Sequence, residues 1–197
     1  MPAGRALLRL TQVHGPVVVF VGRGPVPPGA EAWAPGPAGR PPEGDALVGV
    51  GDDHCLAVLV ADCAPVALAS PDGVHGAVHV GWRGLAAGIL ERAVPVMRAL
   101  GAGEVVAELG PCIGPCCYEF SPADMAPMVD RYGPSARGRT TSGAPALNMV
   151  AAITSALGSM GVVLGIERWH CTACSPDDYS HRRDGDEERQ ALLVWQR

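Results

Sequence analysis

Two imidazoles and one thiol stand where a chain can present metal ligands. His14 closes Thr11-Gln12-Val13-His14 and precedes Gly15 and an apolar run. Cys63 follows Asp62 between the apolar stretches ending at Val60 and restarting at Val66. His79 sits in Val74–Val80, which ends abruptly in Gly81-Trp82-Arg83-Gly84. Two His and one Cys make a catalytic-type zinc set, with three protein ligands and a fourth position open. The separations are long, and three unrelated structural residues would show the same pattern. A lone His before a strand is commonly a hydrogen-bonded turn residue, and free Cys is commonly a small buried hydrophobe. Asp62 is harder to dismiss, because a carboxylate between apolar runs is paired or functional.

A second group comprises Cys112, Cys116, Cys117, His170, Cys171 and Cys174. Cys171-Thr172-Ala173-Cys174 has the spacing of half a structural zinc site, and Cys112 with Cys116 offers another half. Small residues in a Gly/Pro loop also serve packing, and packing is the preferred reading for this group. Arg83, on a glycine-flanked turn, and Arg182-Arg183, beside Asp184, supply guanidinium forks suited to phosphate or carboxylate. Solvated or internally paired arginines are the alternative.

The elements that must position these residues follow from periodicity. Val17–Val21, Ala46–Val50, Leu56–Val60, Val66–Ala69, the stretch before Gly81, Val105–Leu109, Val162–Ile166 and Ala191–Trp195 are expected as strands. Asp45 opens the second of these. Pro65 is expected to break the chain between the third and fourth, leaving Cys63 facing a site. Leu85, Ile89, Ala93, Val96 and Leu100 share a helical face, with a kink or break expected at Pro95. Ser121 and Pro122 start a helix that stops near Gly133, and Leu147–Leu157 is expected to be helical. Gly22–Gly44, carrying Arg23, Trp33 and Arg40, is expected to be a mobile loop, and His54 and Cys55 to be surface residues of a charged turn. The order is neither a βαβ series nor all-β. It predicts an α+β fold with mixed sheets.

Composition narrows the function classes. A chain of 197 residues suits one domain with a real core, and 48% hydrophobic content excludes disorder. The formal charge is −5, and all 15 basic residues are Arg, without a basic tract, which argues against nucleic acid. No apolar run approaches the roughly 20 residues of a membrane span. The N-terminal stretch lacks a secretory pattern. Seven Cys, an odd count, point to a reduced, cytoplasmic protein rather than a disulfide scaffold.

Six motifs then appear in order: Gln12-Val13-His14-Gly15, Ala61-Asp62-Cys63-Ala64-Pro65-Val66, Val78-His79-Val80-Gly81-Trp82-Arg83-Gly84-Leu85, Leu109–Phe120, Cys171-Thr172 and Ser180-His181-Arg182-Arg183-Asp184-Gly185. Together they resemble the YfiH-type family, also labelled multicopper polyphenol oxidoreductase (laccase) and purine nucleoside phosphorylase. The resemblance covers most of the chain from Thr11 onward. It implies one α+β domain over 1–197, with mixed sheets flanked by helices, related to the catalytic fold of cytotoxic necrotizing factor. It implies zinc on His14, Cys63 and His79, while the Cys112 to Cys117 group is not that family's metal site.

The implied activity is phosphorolysis of adenosine, inosine, guanosine and methylthioadenosine, with deamination of adenosine. Purine nucleosides and phosphate are thus the expected partners, for a monomer or homodimer. A zinc site with an open position suits attack of water at C6 of adenine. Asp62 would shuttle the proton or orient a ligand, and Arg83 would hold phosphate below the ribose C1′. Trp82 would stack a base or, as preferred, pack the core, and Arg182 and Arg183 would bind substrate. The rival cofactor is copper, in a phenol oxidase, although no dense His-x-His pattern is present. The chain departs from the usual pattern at Val80 (for Ala), His181 (for Tyr), Asn148 (for Asp) and Glu187-Glu188-Arg189-Gln190 (for Thr-Gly-Arg-Gln). A segment that usually precedes the first motif is also absent, which predicts normal zinc binding with weak turnover.

Overall fold

Strand side chains alternate between two faces, so each apolar strand of this protein feeds two different packing layers. The computed structural model describes residues 4–196. In chain order it contains β1 (Ala6–Arg9), β2 (Val18–Val21), β3 (Glu31–Ala32), β4 (Ala46–Val50), β5 (His54–Val60), β6 (Ala64–Ala69), β7 (Val74–Val80), α1 (Trp82–Ala86), α2 (Ile89–Ala99), β8 (Val106–Leu109), α3 (Pro122–Tyr132), β9 (Arg137–Arg139), β10 (Pro145–Leu147), α4 (Met149–Gly158), β11 (Val163–Gly165), α5 (His181–Asp184) and β12 (Gln190–Val194).

Seven strands form one mixed sheet in the order β11-β8-β6-β7-β4-β2-β3. Its centre is antiparallel, through the β4–β7, β6–β7 and β6–β8 pairs, and its flanks are parallel. β5 lies in a separate three-stranded sheet, parallel to β1 and antiparallel to β12. β9 and β10 pair as a small antiparallel ribbon. On one face of the large sheet Val18, Ala46, Val48, Val66, Leu68, Val78 and Val80 pack with Ile89, Val94 and Met97 of α2 and with Ile153 of α4. On the other face Val19, Val21, Leu47 and Ala77 pack with Leu56 and Val58 of β5 and with Leu192 and Val194 of β12. The result is three layers: helices, large sheet, small sheet. Leu47 and Leu56 are fully buried in the inter-sheet layer, and each such side chain contributes about 2 kcal/mol through burial. The α+β expectation and most strand positions agree with this architecture.

Several expectations are corrected. The helical face beginning at Leu85 is divided between α1 and α2 at Gly88, whose φ of 83° is left-handed, and α2 continues through the solvent-facing Pro95. Ser121 accepts from the Asp124 N–H at 3.1 Å and caps α3 as expected. Asn148 caps α4, so Leu147 ends a strand instead of beginning the helix. Gly22–Gly44 is built into the edge of the large sheet: β3 pairs with β2, the Trp33 N–H donates to Phe20 at 2.9 Å, and Trp33 packs on the inter-sheet core. His54 and Cys55 are buried, at 3% and 0% exposure, because β5 already begins at His54, pairs there with β1, and stacks the His54 ring on His75. The break between β5 and β6 falls at 61–63, before Pro65, which lies inside β6.

Candidate functional site

The chain changes sheets between β5 and β6, and this crossing presents Cys63. β5 belongs to the small sheet and β6 to the centre of the large one. Asp62 turns the crossing with a left-handed φ of 84°, and His14 has a φ of 58°. Such conformations cost on the order of 1 to 3 kcal/mol in a non-glycine residue and persist where surrounding bonds hold them. Both residues are so held.

Asp45 holds the first. It lies immediately before β4, whose pairing with β7 brings it beside His79; the His79 N–H donates to the Asp45 carbonyl at 2.7 Å. The fully buried Asp45 carboxylate accepts the N–H groups of Val13 (3.3 Å), His14 (3.0 Å) and Gly15 (2.7 Å). The same carboxylate accepts from His79 Nδ1 at 2.7 Å. A carboxylate at this site can only accept, so Nδ1 carries the proton and Nε2 is left as the ligand atom.

The three candidate ligands converge. Cys63 Sγ lies 3.7 Å from His14 Nε2, and the His14 and His79 rings meet nearly at right angles with centroids 4.8 Å apart. One ligand atom from each falls within 4.8 Å of the others, a span one ion can bridge. His79 is buried, Cys63 half-buried and His14 exposed, so the group is open on one side. Burial opposes ionisation of Cys63, yet the two imidazoles outweigh it and bring the thiol down to about 6. Burial likewise opposes charge on His79, but Asp45 and Cys63 raise it to about 9. The chemistry of the set, a readily formed thiolate beside two oriented imidazoles, fits a zinc ion.

Gly81 and Gly84 serve close approach instead of unusual backbone angles. A Cβ on Gly81 would lie 2.6 Å from His14 Cδ2 and 3.4 Å from Cys63 Sγ. A Cβ on Gly84 would lie 3.1 Å from the Gly15 carbonyl oxygen.

A cleft of about 640 Å³ opens over the group, lined also by Gln12, Trp82, Arg83, Tyr118 and Arg182. The Arg83 guanidinium lies 4.6 Å from the Trp82 ring centroid, and that ring meets Phe120 edge-on at 5.2 Å. Trp82 therefore packs against the core while lining the cleft. Arg182 lies 5.1 Å over Tyr118, and its backbone N–H donates to Asp62 at 2.7 Å. Asp62 also accepts from the hydroxyls of Thr172 (2.7 Å) and Ser180 (2.8 Å). These bonds commit its carboxylate to holding the C-terminal loop. Arg183 is not brought to the cleft: it donates to the carbonyls of Thr172, Ser175 and Asp178 and pairs with Asp184.

The second cysteine group regroups. Cys116, Cys117, Cys171 and Cys174 come together. Cys112 is buried elsewhere, its thiol pushed up to about 12 by burial, and His170 pairs with Asp178 at 2.6 Å. Sequence reading passed over Asp45, Gln12, Tyr118, Thr172 and Ser180. Asp45 carried a signal of its own, an isolated carboxylate directly against an apolar run, and the other four lie within the ordered motifs without a role assigned to them. Gln12 brackets Leu59 with both ends of its amide, at 2.7 and 2.8 Å, and fixes the His14 segment to β5.

Known proteins resemble this chain along most of its length. A Streptomyces coelicolor protein named purine nucleoside phosphorylase is 38% identical over 189 residues, 94% of this chain and 73% of that one. The crystal structure of a Neisseria meningitidis protein superimposes with a TM-score of 0.80 at 30% identity, covering 98% of this chain and 75% of that one. YlmD from Geobacillus stearothermophilus gives 0.77 at 28% identity, over 98% and 74% of the two chains. The sequence matches the family described as multi-copper polyphenol oxidoreductase laccase over residues 1–197, and the chain belongs to that family.

Proposed function

We propose that the protein is a purine nucleoside phosphorylase whose centre holds zinc on His14, Cys63 and His79. The observation that carries this reading is the convergence of that trio in a cleft also lined by Trp82, Tyr118, Arg83 and Arg182. Aromatic rings suit a purine, and guanidinium forks suit phosphate. The naming of relatives at 38% identity as purine nucleoside phosphorylases supports it.

Phosphorolysis joins a phosphate oxygen to the ribose C1′ as the bond to the purine nitrogen breaks. In this reading Arg83 and Arg182 hold the phosphate, and no carboxylate among the described residues forms a salt bridge with either. Their stacking on Trp82 and Tyr118 restricts the forks and lowers the entropy lost on binding. Asp45 orients His79, and Asp62 is a positioning residue that fixes Arg182 through its backbone. When bound, zinc supplies a Lewis acid able to act at neutral pH. Adenosine, inosine, guanosine and methylthioadenosine are the proposed substrates, with deamination of adenosine as a second activity. The proposed setting is cytoplasmic; no helix among the described residues is long and apolar enough to cross a membrane.

Copper is the second reading, and one observation favours it: two His and one Cys are also the equatorial donors of blue-copper sites. Those sites add a weak axial ligand, commonly Met, and no Met among the described residues lines this cleft. Chromatography of adenosine reactions with and without phosphate tests the proposal. Adenine formed only with phosphate supports phosphorolysis, and inosine reports deamination. Neither product from zinc-loaded protein overturns it, and a thiolate-to-copper absorption band in protein purified without added metal favours the alternative.

A further inference from the structure

The regrouped cysteines form a constellation with no part in the cleft chemistry. Cys174 Sγ lies 3.4 Å from Cys117 Sγ and 3.6 Å from Cys116 Sγ, and all four sulfurs of Cys116, Cys117, Cys171 and Cys174 lie within 4.8 Å of one another. Four thiolates at about 2.3 Å around one tetrahedral zinc stand about 3.8 Å apart, close to this spacing. The packing explanation suits the fully buried Cys112. It does not suit this quartet, in which Cys174 is exposed, Cys116 and Cys117 are half-buried, and only Cys171 is buried.

The backbone is also arranged for metal. Cys171 and Cys174 flank a single 3-10 turn, closed by the Cys174 N–H donating to the Cys171 carbonyl at 3.1 Å. The Gly114 N–H donates to Cys171 Sγ at 3.1 Å, a bond that favours the thiolate. A Cβ on Gly114 would lie 3.2 Å from Cys116 Sγ, so the glycine leaves the sulfurs room. The two loops are already joined in register, with the Cys112 N–H on the His170 carbonyl at 3.2 Å and the Thr172 N–H on the Cys112 carbonyl at 3.3 Å.

We propose that Cys116, Cys117, Cys171 and Cys174 bind a structural zinc ion, separate from the His14, Cys63 and His79 centre. Four protein thiolates leave no open position, and their thiol protons are released on binding. The ion ties the loop carrying Ile113 and Tyr118, which line the cleft, to the segment whose Thr172 hydroxyl holds the lining residue Asp62, so it braces the cleft from outside.

The test is metal analysis of reduced, full-length protein purified without added metal, alongside Cys63→Ala and the double variant Cys171→Ser with Cys174→Ser. The expected result is zinc in the wild type at twice the content of either variant. Cobalt replacement supplies a second readout that does not need the double variant to fold. In Cys63→Ala, cobalt should give intense thiolate-to-metal charge-transfer bands of a tetrathiolate site. Loss of all zinc in Cys63→Ala, iron in place of zinc at the quartet, or a disulfide among these cysteines in the reduced protein would each overturn the proposal.

Discussion

Asp45 Oδ1 accepts a hydrogen bond from His79 Nδ1 at 2.7 Å, and both side chains are buried. The same carboxylate gathers the backbone of Val13, His14 and Gly15. One buried anion therefore positions two imidazoles that are far apart in sequence, one through its ring and one through its backbone. Asp45→Asn keeps the shape but leaves a single acceptor oxygen for four donors. Zinc affinity, measured by competition with a chromophoric chelator, should fall on the order of 10- to 100-fold. Unchanged affinity would remove Asp45 from the site.

Gly81→Ala tests the close approach. The new Cβ would meet His14 Cδ2 at 2.6 Å, so the imidazole must move. Displacement of about 1 Å can lower a rate on the order of 100-fold. Phosphorolysis by this variant should drop by that order while its melting temperature falls by only a few degrees. Full activity would show that His14 does not need its observed position.

The two arginines near the cleft should behave differently from Arg183. Arg83→Ala should raise the apparent phosphate KM about tenfold or more, the worth of one charge-assisted hydrogen bond. Arg183→Ala should leave phosphate KM unchanged and lower stability, because its guanidinium closes the loop over Thr172, Ser175 and Asp178. Steady-state kinetics with varied phosphate and thermal melts separate the two. Equal KM effects would contradict the assignment.

Stability should fall on mild acidification through His75. Burial, aided by the charge of the stacked His54 ring 5.0 Å away, lowers His75 to about 4. An unfolded His titrates near 6.5, so between roughly pH 6.5 and 4 the unfolded chain binds the extra proton. The contribution of neutral His75 is complete above pH 6.5 and lost as pH falls toward 4, reaching about 2 kcal/mol by pH 5. Urea unfolding at pH 7 and pH 5, with chelator to silence the metal centre, should show this loss, and His75→Phe should reduce it. An identical slope in the variant would exclude His75 as the source.

Local signals carried part of the site. His14, Cys63 and His79 each stand at or near the end of an apolar run, and Gly81 and Gly84 marked the turn that follows His79. His54 and Cys55 misled because Asp52 and Asp53 precede them and read as a surface turn. Nothing in the local sequence shows that β5 is the central strand of a sheet between β1 and β12. Asp45 read as the opening of a strand, since its role depends on which strand lies beside β4.

The sequence by itself determined the periodic faces of the strands and α2, the Ser121 cap and the glycine-flanked turn after His79. These rest on interactions within a few residues, or on side-chain volume. Tertiary structure alone decided that β5 and β6 part into different sheets, so that Cys63 meets His14 at 3.7 Å. It alone selected Cys117 over Cys112 for the thiol quartet and turned Asp62 toward Thr172, Ser180 and Arg182. Each of these outcomes depends on register between distant strands and loops. A shift of one residue in a strand would send every such side chain to the opposite face.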